Sequence, residues 1–358
     1  MTPPTHMRAL LMTGVGSLQL DEIAYPQSRP GWGIVRVIGS AVGLFHSQML
    51  KGMLDTGGLP RILGHEIVGE VVEVSSPASP PPGSMVVVDA VVGCGVCEWC
   101  MRGEESICPW MRHLGIDLDG GFADYASVPE PNMFPLPNDV PVAEAVMLSS
   151  ALPAAVHAVR RSGVSAGDRV LVSGVGSIGA TVSQVARAFG ATTVIAADVS
   201  DDQLQAASAW TDGRSNVADL TPDEVAGEVR QLAGAPHGVD VAFETAGHPT
   251  SVAATLRAIR PGGTAVLMGI TDGPTSIDFQ DYLAEFVRRE VRLVTTFGFT
   301  RQDFRVGNAI YLSGALDLTS FAGNTYRLED LPGALDDIAA HGTGGKRHIV
   351  EVSEPTAG

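Results

Sequence analysis

Cys94, Cys97, Cys100 and Cys108 are the only cysteines in the chain, and all fall within the stretch GCGVCEWCMRGEESIC. Two-residue gaps let successive backbone turns aim thiolates at one point, and four thiolates at about 2.3 Å complete a tetrahedral Zn²⁺ shell. Two disulfides are the competing reading. A reducing cytosol and the lack of any further cysteine oppose it. A zinc ion with four protein ligands has no open position for substrate. Its expected role is therefore structural: one zinc per chain, tying down a lobe at about residues 94–108 that has little core of its own.

A second constellation lies mid-chain. Val170-Leu171-Val172 reads as a short buried strand that runs into Gly174-Val175-Gly176-Ser177-Ile178-Gly179. Apolar residues then recur at helical spacing, Ile178, Val182, Val185, Ala186 and Phe189, until Gly190-Ala191 stops the helix. Thr193 to Ala197 reads as the next strand, and Asp198 closes it 19 residues after Gly179. This is a dinucleotide-binding fingerprint in its strand–turn–helix–strand setting. Gly174 permits the tight turn, Gly176 lets backbone approach a pyrophosphate, and Gly179 allows close helix–strand packing. Ser177 and Ile178 open the helix, whose first N–H groups lack intrahelical partners and face the phosphates. Asp198 can accept both ribose hydroxyls and repel a 2′-phosphate, and Val199 to Gln203 contain no Lys or Arg. NAD(H) is therefore expected over NADP(H). The competing reading is a structural turn with a capping aspartate.

These groups need a scaffold. After the fingerprint, Asp240 to Glu244 reads as a strand, Ser251 to Arg260 as a helix closed by Pro261-Gly262-Gly263, and Thr264 to Met268 and Val291 to Thr296 as further strands. Strands alternating with helices imply a doubly wound parallel sheet, a Rossmann NAD-binding domain over residues 152–297. The first 150 residues are rich in Val and Gly with few helical patterns, which suggests a compact β-rich domain. A length of 358 residues suits two domains, and 45% hydrophobic residues suffice for their cores.

A net charge of −17 repels nucleic-acid backbones and anionic membrane surfaces. No apolar run is expected to reach the roughly 18 residues of a membrane span. Met1 to Met7 lack the basic-then-apolar pattern of a signal peptide, so a cytoplasmic setting is expected.

Further motifs follow in a recognisable order. They are Gly64-His65-Glu66 with Ile67 to Val72, the cysteine lobe, Gly120-Gly121-Phe122-Ala123-Asp124-Tyr125, the fingerprint, Arg260-Pro261-Gly262-Gly263 and Tyr326-Arg327-Leu328-Glu329-Asp330. Across nearly its whole length the chain resembles the zinc-type medium-chain alcohol dehydrogenases. That resemblance implies a GroES-like catalytic domain of residues 1–151 and 298–358, an active site in the cleft beside the Rossmann domain, and a homodimer or homotetramer acting on a small-molecule substrate.

The departures from the family pattern concern its catalytic zinc. The family takes one ligand from a Val-Gly-x-Cys stretch, which reads Val42-Gly43-Leu44-Phe45-His46-Ser47-Gln48 here. Phe45 stands where the Cys should be, and a phenyl ring cannot ligate zinc. His65 is kept, but Ser150 takes the place of the third ligand, and a neutral hydroxyl is a poor one. The catalytic zinc is therefore expected to be absent.

By the same resemblance, Ser47 matches the family's relay hydroxyl and His46 its basic residue near the pyrophosphate. His65, freed from ligation, becomes a base or hydrogen-bond donor, Glu66 holds it in one tautomer, and Ser150 donates to substrate oxygen. The expected reaction is NAD(H)-linked hydride transfer to or from an alcohol, a carbonyl or an activated C=C or C=N bond. A conventional zinc alcohol dehydrogenase with unusual ligands (His65, Glu66 and His46) is one alternative. A nucleotide-binding protein that has lost catalysis is the other. His157 reads as helix packing, His248 as a turn residue, and nothing in the sequence demands a role for His113.

Overall fold

The structure is a computed structural model that describes residues 3–53, 57–270, 276–277 and 281–353. The chain divides into two compact units, Met1–Ser150 with Phe321–Gly358, and Ala151–Ser320.

The first unit is built on one long strand, Trp32–Val42, with Val, Ile and Ala buried along both faces. It pairs antiparallel with Ile67–Glu73 on one side, and on the other with Tyr125–Pro129 along its first half and Arg347–Glu351 along its second. Met85–Val88 and Met133–Pro135 extend the sheet one way, and Ala322–Arg327 the other. The pairing with Arg347–Glu351 returns the last segment of the chain to this unit. Leu331, Leu335 and Val350 from that segment share a core with Leu10, Val37, Ile67 and Phe122. Burial of side chains of this size is worth roughly 1.5–3 kcal/mol each, which explains why sequence distance does not separate them.

The second unit is a six-stranded parallel sheet. Its order is Gly213–Asn216, Thr193–Asp198, Arg169–Ser173, Val239–Glu244, Ile259–Leu267 and Arg292–Thr295. This is the doubly wound order, whose direction reverses between the strands Arg169–Ser173 and Val239–Glu244. The residues Arg260-Pro261-Gly262-Gly263 lie inside a strand, not in a loop closing a helix. Asp240 holds Arg260 there at 2.6 Å.

The units part at 320/321, later than the expected 297/298. The helix Arg301–Leu312 accounts for the difference. Its Asp303 is fully buried and bonds His157 at 2.7 Å and Arg160 at 2.5 Å on the helix Ala151–Ser162. Residues 142–162 are long and apolar enough by composition to cross a membrane, although polar residues interrupt the run. They form two helices, Val142–Ser149 and Ala151–Ser162, parted at Ser150, and 67% of the most apolar window is buried in protein.

Candidate active site and nucleotide turn

The first unit gathers three histidines. Gly43 caps the short helix Leu44–Leu50, which carries Phe45, His46 and Ser47. Gly64 places His65: its φ of +92° suits glycine alone, and a Cβ there would meet the Phe122 ring at 2.6 Å. The backbone at Gly120-Gly121-Phe122 wraps this turn, with Gly121 N–H donating to the Gly64 carbonyl at 2.7 Å. His113 arrives on a two-residue strand paired with Val91. The His46 and His65 rings stack at 4.9 Å, His113 meets His65 edge-on at 5.4 Å, and Phe45 meets it edge-on at 5.3 Å.

Hydrogen bonds fix two of the tautomers. His46 Nδ1 accepts from Gly43 N–H at 3.3 Å, so the ring hydrogen sits on Nε2. That buried Nε2 has no partner. His113 Nδ1 lies 2.9 Å from the Leu114 carbonyl, which can only accept, so His113 Nε2 carries the lone pair. His65 Nδ1 is buried without a partner.

Electrostatics keep the cluster neutral. Burial, with Arg347 and His113 adding like charge, takes His46 down to about 3. Burial with His46, His113 and Arg347 holds His65 well below its ordinary value. Burial also lowers His113.

Glu66 does not hold His65 in a tautomer as expected. Its Oε1 lies 3.7 Å from His65 Nε2, beyond hydrogen-bond reach, and 2.8 Å from the Arg347 guanidinium. Burial raises the Glu66 carboxyl, opposed by Arg347 and by the nearby Ser150 hydroxyl. Glu66 Oε2 is buried without a hydrogen-bond partner, and Ser47 Oγ donates to the Leu44 carbonyl at 2.8 Å.

Arg347 is a member that sequence reading missed. It follows Gly344-Gly345-Lys346 with no motif of its own. Only the pairing of its strand with Trp32–Val42 brings it beside Glu66.

The donor set here does not fit a zinc ion. His65 Nε2 and Glu66 Oε1 are spaced as two ligands could be, but Phe45 offers no ligand atom and Ser150 only a hydroxyl. Among the described residues, the one group of three or more His, Cys, Asp or Glu ligand atoms that converges is the cysteine set. Its sulfurs all lie within 4.8 Å of one another, with Cys97 and Cys108 at 3.7 Å. Thiolates around one tetrahedral zinc stand about 3.8 Å apart, so the residues fit that ion. The lobe has little core, as expected: Val96, Met101, Ile107 and Trp110 are all exposed.

In the second unit, Gly174 takes φ +89° in the turn, and Gly176 caps the helix Ser177–Ala188. Ser177, Ile178 and Gly179 form its first turn, whose N–H groups have no intrahelical acceptor. Asp198 Oδ2 accepts from Val175 N–H at 2.7 Å and Oδ1 from Ser200 N–H at 2.9 Å. Each carboxylate oxygen keeps a further lone-pair site for a ribose hydroxyl. This is the arrangement a dinucleotide requires, and the residues fit one.

Residues 29–138 match the alcohol dehydrogenase GroES-like domain, and residues 177–311 the zinc-binding dehydrogenase family. The chain is 30% identical to L-threonine 3-dehydrogenase of Pyrococcus abyssi, over 86% of this chain and 88% of that protein. It is 26% identical to sorbitol dehydrogenase of Bacillus subtilis, over 94% of both. Among solved structures, a zinc-binding dehydrogenase from Sinorhizobium meliloti 1021 bound to NADP superposes with a TM-score of 0.88 at 27% identity. That match covers 97% of this chain and all (100%) of the other. The chain belongs to the zinc-type medium-chain dehydrogenase/reductase family, whose members are NAD(P)-dependent oxidoreductases.

Proposed function

We propose that this chain is an NAD(H)-preferring oxidoreductase that carries one structural zinc at Cys94, Cys97, Cys100 and Cys108 and works without a catalytic zinc. Its substrates would be small organic carbonyls or alcohols, or activated C=C or C=N compounds. The observation that carries this reading is the phenyl ring of Phe45 against His65, where the family places a thiolate. The preference for NAD(H) rests on the Asp198 carboxylate at the strand end and the lack of a cation in the residues after it.

Bound nicotinamide supplies or accepts the hydride. In the direction of reduction, hydride adds to the electrophilic carbon, and a proton must reach the oxygen or α-carbon that takes up the electron pair. A neutral imidazole is a hydrogen-bond donor, and a poor base when its basicity is this depressed. His65, and His46 through Nε2–H, are therefore assigned to donate to the substrate oxygen. Burial makes such donors more effective than they are in water. Ser47 would relay the proton, exchanging its bond to Leu44 for one to substrate. Ser150 would donate to the substrate oxygen, and Glu66 with Arg347 sets the local charge.

We also assign a second copy of the chain as partner. Among the described residues the strand Arg292–Thr295 is the edge of its sheet, with Leu293 42% exposed and Phe297 56% exposed beside it. A reducing, cytoplasmic setting suits the four free thiols.

The test is zinc per chain, by elemental mass spectrometry, on protein purified without added metal. A value near one that Cys94→Ser abolishes is expected, followed by turnover of an activated carbonyl, enone or imine with NADH. A value near two would show that His65 and Glu66 hold a metal, and the zinc-free chemistry would be wrong.

A further inference from the structure

The peptide unit joining Gly174 to Val175 is held at both ends. Its carbonyl accepts the Thr245 hydroxyl at 2.5 Å, and its N–H donates to Asp198 Oδ2 at 2.7 Å. Thr245 and Asp198 lie at the ends of the two strands that flank the fingerprint strand, one on each side. The Thr245 hydroxyl also lies 3.1 Å from the Ser173 carbonyl, and Thr245 N–H donates to that carbonyl at 2.9 Å.

Gly174 must be glycine, because a Cβ there would meet the Ala246 nitrogen at 2.7 Å. The same absence of a side chain frees the following peptide to rotate between turn forms at little steric cost. A flip would turn the carbonyl toward the Asp198 carboxylate and carry the N–H away from it. It would also misplace the start of the helix Ser177–Ala188, whose first N–H groups face the phosphates.

The third fingerprint glycine bears on the same bond. A Cβ on Gly179 would meet the Gly174 oxygen at 1.8 Å and Thr245 Oγ1 at 2.7 Å. Gly179 therefore makes room for the Thr245–Gly174 hydrogen bond as well as for helix–strand packing.

We infer that Thr245 is a positioning residue for the dinucleotide, locking the first fingerprint peptide in the orientation that lets Asp198 and the helix N-terminus engage the cofactor together. This rests on the reading of that turn as the NAD(H) site. Val175 N–H is spent on Asp198, so the phosphates draw on the N–H groups that follow it.

The experiment compares Thr245→Val, which keeps the shape and removes the donor, with Thr245→Ser, which keeps the donor. NADH dissociation constants are measured by fluorescence on folded protein, with kcat at saturating NADH alongside. Thr245→Val should raise the Kd roughly five- to tenfold, as loss of one hydrogen bond allows. Its kcat at saturation should change by less than about twofold, and Thr245→Ser should restore the Kd. Thr245→Ala serves if Thr245→Val does not fold. An unchanged Kd on removal of the hydroxyl, or a loss that Ser does not rescue, would overturn the inference alone. Failure of the wild-type protein to bind NADH or NADPH would overturn the nucleotide reading with it.

Discussion

Asp198→Asn should reverse much of the discrimination between NADH and NADPH. The carboxylate anchors Val175 N–H and Ser200 N–H, and on the proposed reading it would present negative charge to the adenosine ribose. A hydroxyl bonded to it carries, in NADPH, a phosphate centred about 5 Å away. Charges of −1 and about −1.5 at that distance, at an effective dielectric of about 40, repel by roughly 2.5 kcal/mol. That is about seventyfold in affinity. Asn removes the repulsion, so NADPH should tighten by one to two orders of magnitude.

NADH should weaken by roughly tenfold, since charge-assisted hydrogen bonds are about twice as strong as neutral ones. The amide also sets a donor against one of the two backbone N–H groups that the carboxylate accepts. Titration of each nucleotide by fluorescence at fixed ionic strength reads both changes. A ratio of the two dissociation constants that stays within about threefold of wild type would refute the assignment of Asp198 as the selecting residue.

Two further outcomes are expected. His65→Phe should lower kcat by about 100-fold on the substrate that the screen identifies, with NADH Kd within about twofold, because a hydrogen-bond donor to a developing oxyanion is worth about that much. The wild-type pH–rate profile should show no step from His65 near its ordinary value, since burial and its neighbours keep it neutral through that range; an unchanged kcat in the variant would remove His65 from the mechanism. Asp303→Asn should destabilise the second unit by about 1–2 kcal/mol, since the amide loses the charge-assisted hydrogen bonds of a buried carboxylate while the 40% exposed Arg160 can turn to solvent. The melting temperature should fall by roughly 2–8 °C. Burial opposes the Asp303 shift, but hydrogen bonds from His157 and Thr300 hold the carboxyl below its ordinary 3.8. Its stabilisation is therefore present above that pH and lost as pH falls through the lower folded value, a loss the variant should lack in an acid-unfolding series.

Glycine positions and local periodicity made the nucleotide turn legible. Gly174, Gly176, Gly179 and Asp198 sit within one strand–turn–helix–strand unit, so their spacing along the chain is also their spacing in space. The cysteine lobe was legible for the same reason: its four thiols lie within fifteen residues, and the structure brings them together. Residue chemistry alone raised the question of the catalytic zinc, because no fold gives Phe45 a ligand atom. What tertiary structure decided was every relation between distant segments. Arg347 meets Glu66 only because its strand pairs with Trp32–Val42, so Glu66 turns from His65 toward a guanidinium. His113 joins His46 and His65 through a two-residue strand with no periodicity to read. Asp303 moved the second unit's boundary by reaching His157 across 146 residues. A hydrogen bond is decided by positions within a few tenths of an ångström, and chain spacing carries that information only inside a single local element.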